Sequence, residues 1–311
     1  MAYYNSAGTP RFFINLLDWL YGHNSLILDN EQADRKLLQT LPVNPIYLDH
    51  SWIGWETPLS GMTSNGFIAI LGHNMALLSA GYAVYEGSNQ ATFTDDVSVN
   101  GSGNTATTQY DGFSINTFTG NENISDININ NNPNIGSIIL GTYFDMPHSA
   151  DLKLTLEYQT GTKTIETRGG ASLSNTMTQP PKWGNLAQWE LSDPYSSTVE
   201  QALVHNSRRI WNLSFSFLSK ESTFPKYNAL NRYTNEDLSD SDLLDNAEET
   251  LLDSDNFMSQ VWERCTTASP FIFQPDKDTP EFAICKFEKD ISFQQTAPGL
   301  YSVKCRIREV W

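Results

Sequence analysis

The chain has 311 residues, long enough to bury a core without staples, and its 36 acidic against 19 basic side chains leave a net charge of −17. That charge repels nucleic acid and anionic membrane surfaces, so nucleic-acid binding and membrane insertion are excluded as expectations. Three cysteines, Cys265, Cys285 and Cys305, lack C-x-x-C spacing and read as small buried hydrophobes in a reduced compartment.

Residues 1–50 open on Phe12, Phe13, Ile14, Leu16, Leu17, Trp19 and Leu20, an aromatic-rich stretch with no single period. It suits a strand or a short helix and must dock on something. It carries no charged segment followed by an apolar one, as a signal peptide would. No apolar run reaches the roughly 20 residues that cross a bilayer. The expected compartment of synthesis and folding is a cytoplasm.

From 51 to 148 the texture turns to Gly, Asn, Ser and Thr with short apolar runs: FIAIL (67–71), YAVYE (82–86), DGFSINTF (111–118), ISDININ (124–130) and IGSIILGTYF (135–144). Short strands between Gly/Asn turns predict a β-sandwich or jelly roll. From 149 to 311 a second β-rich part is expected. LKLTLEY (152–158) and KTIET (163–167) read as a hairpin running into Gly169 and Gly170. In Arg208 to Leu218, the residues Trp211, Leu213, Phe215 and Phe217 alternate with polar ones. Residues 235–255 hold nine acidic side chains and no basic one, the pattern of a solvated loop. A helix over about 255–265 is predicted, with Asp255 as N-cap and Phe257, Val261 and Trp262 on one face. FIFQ (271–274), FAICKF (282–287) and the alternating terminal LYSVKCRIREVW (300–311) read as strands.

No P-loop, nucleophile elbow, dinucleotide fingerprint or zincin spacing is present, and none of the five histidines has an i,i+4 His partner. Catalytic, metal and cofactor residues are therefore assigned to none. The Gly-His-Asn turn at 72–74 reads chiefly as a strand-end hydrogen-bonding device. Asn121, Glu122, Asn123, Asp126 and Asn128 offer oxygens but lack a calcium-loop spacing. The candidate ligand residues at the tip of the 51–148 module are Asn74, Tyr110 and Asp111, chosen from strand ends.

Two stretches carry a family resemblance. NGFIAILGHNMALLSAGYAVYEGS (65–88) followed by IGSIILGTYFDMP (135–147) resembles a galactose-binding-like, discoidin-type jelly roll inserted in phage tail proteins. The part from Asp151 to Trp311 resembles the distal tail and minor tail proteins of long-tailed bacteriophages. Its matching features, in order, are a hairpin ending in Gly-Gly, the RRIWNLSFSF strand, a helix, FIFQPD and the final REVW strand. The resemblance implies a mainly-β protein: a β-sandwich or barrel of belt type with one helix, plus an inserted jelly-roll β-sandwich. It also implies a non-enzymatic tail-tip or baseplate component that forms a ring, usually a hexamer, continuing the tail tube. The expected partners are copies of itself, the tail tube protein, the baseplate hub, the tape-measure protein and a host surface glycan. The acidic stretch 235–255 is not part of the family pattern. The alternatives are a carbohydrate-binding host-recognition module and a polysaccharide-degrading enzyme, whose carboxylate pair would be set by spatial separation and so escapes a sequence reading.

Overall fold

The computed structural model describes residues 8–22, 35–42, 45–59, 65–94, 106–108, 111–119, 124–152, 155–159, 163–174, 208–224, 255–279 and 281–310. Trp183, Trp189, Trp311 and the acidic stretch up to Ser254 lie outside them. The first strands are β1 (Arg11–Asn15), β2 (Ile46–Tyr47), β3 (Trp52–Leu59), β4 (Gly66–His73), β5 (Gly81–Glu86) and β6 (Asn89–Gln90). β7 (Thr92–Phe93), β8 (Ala106–Thr107), β9 (Gly112–Thr119), β10 (Ile124–Ile129), β11 (Asn134–Ile135) and β12 (Ser137–Asp145) follow. The remainder are β13 (Thr155–Gln159), β14 (Thr164–Glu166), β15 (Ser172–Ser174), β16 (Arg208–Ser219), β17 (Phe271–Gln274), β18 (Ala283–Phe287), β19 (Ser292–Ala297) and β20 (Leu300–Glu309). The protein is mainly β, as its composition of short apolar runs and turns requires.

An eleven-stranded antiparallel sheet runs β13-β16-β20-β18-β17-β1-β12-β4-β9-β7, with β19 also paired to β20. A five-stranded sheet, β3-β10-β5-β6 with β8 beside β5, lies against its β12-β4-β9-β7 end. β1 comes from the N-terminal segment. It pairs with β12 on one side, Phe12 opposite Phe144, and with β17 on the other, Phe12 opposite Phe273. The ambiguous opening stretch is thus both expected things in succession: strand β1, then the helix α1 (Leu16–Gly22).

The even-numbered residues of β12 show how the interior is divided. Ile138 and Leu140 join a mostly aliphatic core with Ile68, Ile70, Ile127, Val84, Leu16 and Leu17. Phe144 and Met146, farther along the same face, join an aromatic core with Phe12, Phe257, Phe271, Phe273 and Phe287. Thr142 stands between them, donating to Gln260 Oε1 at 3.1 Å and accepting from Arg264 Nη1 at 2.8 Å. The odd-numbered Ile139 points the other way, into a third cluster with Phe13, Phe67, Leu71, Phe113, Ile272 and Ile284. β1 and β4 are buried along their whole length, so residues 12–14 and 67–71 run continuously apolar rather than alternating. At Gly141 the backbone of β1 comes so close that an added Cβ would sit 1.9 Å from the Ile14 carbonyl oxygen.

The two clearest alternating segments of the sequence are hydrogen-bonded to each other: Trp211 faces Ile307, Leu213 faces Cys305 and Phe215 faces Val303. Alternation fails at Phe217. A bulge between Phe215 and Leu218 puts Phe217 at φ 62° and leaves it 72% exposed, while Leu218 takes the inward position. Asp151 accepts hydrogen bonds from the Ser214 and Ser216 hydroxyls at 2.8 Å, beside this bulge. The hairpin expected between 152–158 and 163–167 is corrected as well. β13 pairs with β16 (Tyr158 opposite Arg209), and β14 folds back on β15 through a turn in which Gly170 has φ 81°. The Gly-Gly pair, with one residue free of a Cβ penalty at positive φ, makes the turn between β14 and β15. The predicted helix appears as a π-helical turn, Met258–Trp262, continuing into an α-turn, Glu263–Cys265. Asn256 rather than Asp255 caps it, its side chain accepting from the Ser259 N–H at 2.9 Å. Phe257 and Val261 enter the aromatic core, and Trp262 packs edge-on to Phe287. All three cysteines are buried free thiols.

Candidate functional site

The register His73 opposite Gly112 brings Asn74 and Asp111 to one end of the large sheet. Asn74 Oδ1 accepts from the Asn134 N–H at 2.8 Å, and Asp111 Oδ1 accepts from the Leu77 N–H at 3.1 Å. Asp111 therefore holds the turn at 74–80, and Asn74 ties the start of that turn to β11. Tyr110 lies outside the described residues. His73 is wholly buried; its Nδ1 accepts from the Met75 N–H, so Nε2 carries the proton and meets Ser114 Oγ at 2.8 Å. Burial holds its pKa down at about 3, against a hydrogen bond involving Phe113 that works upward. His73 is a neutral strand-end brace, as the Gly-His-Asn reading anticipated. Of the oxygens considered for calcium, Asn121, Glu122 and Asn123 are outside the described residues, and Asp126 accepts from Ser125 Oγ at 2.6 Å. Among the described residues no three His, Cys, Asp or Glu side chains gather as a metal site.

A cavity of about 510 Å³ opens elsewhere, where the end of β1 and α1 meet the turn that follows the π-helix. Asn15, Asp18 and Trp19 form one wall, Gln39 and Thr40 a second, and Glu263, Arg264 and Ser269 a third. Asn15 organises the first two. Its Nδ2 donates to Leu38 O at 2.7 Å and to Thr40 Oγ1 at 3.2 Å, while its Oδ1 accepts from the Asp18 N–H at 3.3 Å. Those bonds stop β1, start α1 and pin the 39–40 segment. Arg264 is only 3% exposed, held by Thr142 with its guanidinium carbon 6.0 Å from the Trp19 ring centre. Burial pushes the neighbouring Cys265 thiol up to about 12, the Arg264 charge opposing this, so it stays a neutral thiol. Thr266 closes the turn at φ 48°, a conformation that side chains with a Cβ rarely adopt. Sequence reading missed this site because Asp18 and Glu263, on two of its walls, are 245 residues apart and no local motif links them.

A third feature is an exposed apolar margin. Among the described residues β13 ends the large sheet, with Leu156 46% and Tyr158 58% exposed. The hairpin β14–β15 next to it in sequence pairs Ile165 with Leu173, and both are at least 60% exposed. No known family, curated protein or solved structure matches this chain.

Proposed function

We propose that this chain is a ring-forming structural component of a phage tail tip, of distal-tail type, and not an enzyme. The observation that carries the reading is the exposed apolar margin of β13 and the β14–β15 hairpin. A sheet edge displaying apolar side chains beside unpaired backbone groups is a template for another chain. When the complementary surface lies elsewhere on the same protein, the contact is heterologous, and it closes into a ring when its rotation divides a full turn. The order of sequence motifs along 151–311, which resembles that of tail proteins, supports this place for the ring. In this reading its neighbours are the tail tube protein, the baseplate hub and the tape-measure protein, and it is assembled into the virion from the host cytoplasm.

The mass of the purified chain over a range of concentrations, by native mass spectrometry and sedimentation, tests the proposal. A sixfold species is expected, dissociated by Leu156→Lys with Ile165→Lys while the subunit stays folded. A strictly monomeric chain, both alone and in particles, overturns it.

A further inference from the structure

We propose that the outward face of β16, β20 and β18 carries an oxyanion site, built by Arg208, Arg308 and Lys286 and suited to a phosphate group. This goes beyond a structural role, and the site shares no residue with the 74–80 turn or with the cavity beside α1.

Strand register brings the three side chains together. Arg308 stands opposite Ile210 on one side and Lys286 on the other. Arg208 precedes Ile210 by two residues and so shares its face. Opposed Cβ atoms in antiparallel strands lie about 4.5–5.5 Å apart, and diagonal ones about 7–8 Å. The three cations thus mark the corners of a small triangle, with the buried Ile210 beside it as an apolar floor. All three are half-buried. Like charges set opposite one another destabilise a sheet. Arg208 registers the crowding: burial, and then the Arg308 charge, hold its pKa down, while Glu309 works the other way.

The neighbouring acids do not relieve it. Glu157, opposite Ile210 on β13, and Glu288, just after β18, are both ion-paired to Arg306. Glu157 also accepts from Asn212 Nδ2 at 2.8 Å. Glu309 lies on the opposite face, paired with Arg209. Among the described residues Lys286 and Arg308 have no ion pair, and the Arg308 Nε is buried with no acceptor. A buried donor without a partner is costly. In a chain with 36 acidic residues against 19 basic ones, adjacent cations left without a carboxylate call for an anion from outside.

The donors select the ligand class. A guanidinium fork matches the oxygens of a carboxylate or a phosphate, and Lys adds a compact point charge. A carboxylate offers two oxygens in one plane and a single charge. A phosphate group offers three diverging oxygens, one toward the cation of each strand, and close to two charges. A nucleic-acid polymer is opposed by the net charge of −17 over the whole chain. An isolated phosphate group, free or carried on a small partner, fits all three donors.

Titration calorimetry on the full chain tests this, with inorganic phosphate, acetate and a phosphoserine peptide as probes and sodium chloride matching the ionic strength. Phosphate or the peptide is expected to bind about tenfold or more tighter than acetate, and the tighter of the two names the source of the group. Arg308→Gln and Lys286→Gln should each weaken that binding by about tenfold or more, because hydrogen bonds between charged groups are the strong ones. Lys304→Gln, about 13 Å back along β20, should change it by less than about twofold, since exposed charges are screened over about 8–10 Å. Melting curves give a second reading. Phosphate should raise the midpoint above the chloride control. Lys286→Gln should hold or raise the phosphate-free midpoint, by removing the repulsion, and should lose the response to phosphate. No heat and no midpoint shift beyond chloride overturns the proposal. So does binding that Arg308→Gln and Lys286→Gln both leave intact, or a lowered phosphate-free midpoint in Lys286→Gln. Ring mass is read separately, so failure here leaves the assembly proposal standing and the reverse holds too.

Discussion

β1 and β13 are five-residue strands of one sheet, RFFIN and TLEYQ, and they occupy opposite environments. Every residue of β1 is buried, and in β13 every residue but Glu157 is exposed. Their apolar content differs by a single residue, so composition does not account for this. Place does. β1 has a hydrogen-bonded neighbour on each side and a core against each face, Phe12 in one and Phe13 in the other. β13 has β16 alone. A strand in the middle of a wide sheet is committed to the fold, whereas one at the margin stays available for association.

The sharpest way to break this comparison is to remove residues 51–148. That takes away β12, β4, β9 and β7, bares one side of β1, and uncovers Phe13, Ile272 and Ile284. Loss of cooperative unfolding is expected by calorimetry; a rejoined remainder that melts as a native domain would show that β1 does not bind the two regions into one core. Next in size is Phe12→Ala, which empties a position in ring contact with Phe257, Phe271, Phe273 and Phe287. Denaturant titration should show a cost of about 3–5 kcal/mol. The same truncation at Tyr158, 58% exposed, should stay within about 0.5 kcal/mol.

Glu309→Ala probes the other long strand. Its carboxylate is fully buried and receives the Arg209 backbone N–H at 2.5 Å and Nε at 2.7 Å. Removing it strips a largely buried guanidinium of its counter-charge, at about 3–5 kcal/mol, by the same titration. Glu309→Gln should recover part of that.

A pH series addresses His73. Its folded pKa is depressed from 6.5 to about 3, so the unfolded chain takes up a proton first as pH falls. Stability is therefore full above 6.5 and is lost progressively from there toward about 3, a slope of about 1.4 kcal/mol per pH unit from this group. The His73→Gln variant should flatten the dependence in that window; an unchanged slope would mean the imidazole titrates normally. Smallest of all, Leu156→Lys at the β13 margin should change subunit stability by no more than about 0.5 kcal/mol while shifting the oligomer mass. A large loss of subunit stability would place Leu156 in the core and remove the edge as an assembly surface.

Much of the chain was readable beforehand where one face is wet. The alternation of Trp211, Leu213 and Phe215 and of Tyr301, Val303, Cys305 and Ile307 gave two strands whose buried faces coincide in the sheet. β3 and β19 were not anticipated: β3 carries Gly54 and Pro58 inside it, and β19 is largely exposed, with Gln at two of its six positions. Phe217 shows the limit of periodicity, because one bulged residue reverses every following side chain and depends on the partner strand. The cavity beside α1 shows a deeper limit. Asp18, Gln39 and Glu263 have nothing in common along the chain and become neighbours only through the pairing of β1 with β12 and β17.

By itself the sequence determined the class of this protein: short strands, polar turns, buried thiols and a helix carrying Phe257 and Val261. These follow from local sterics and from which side chains avoid water, both encoded within a few residues of each other. Tertiary structure alone decided which strand becomes a centre and which an edge, where Thr142 parts two cores, and where a polar cavity opens. Each of those depends on contacts between residues far apart in sequence, whose closing cost and packing geometry no local pattern records.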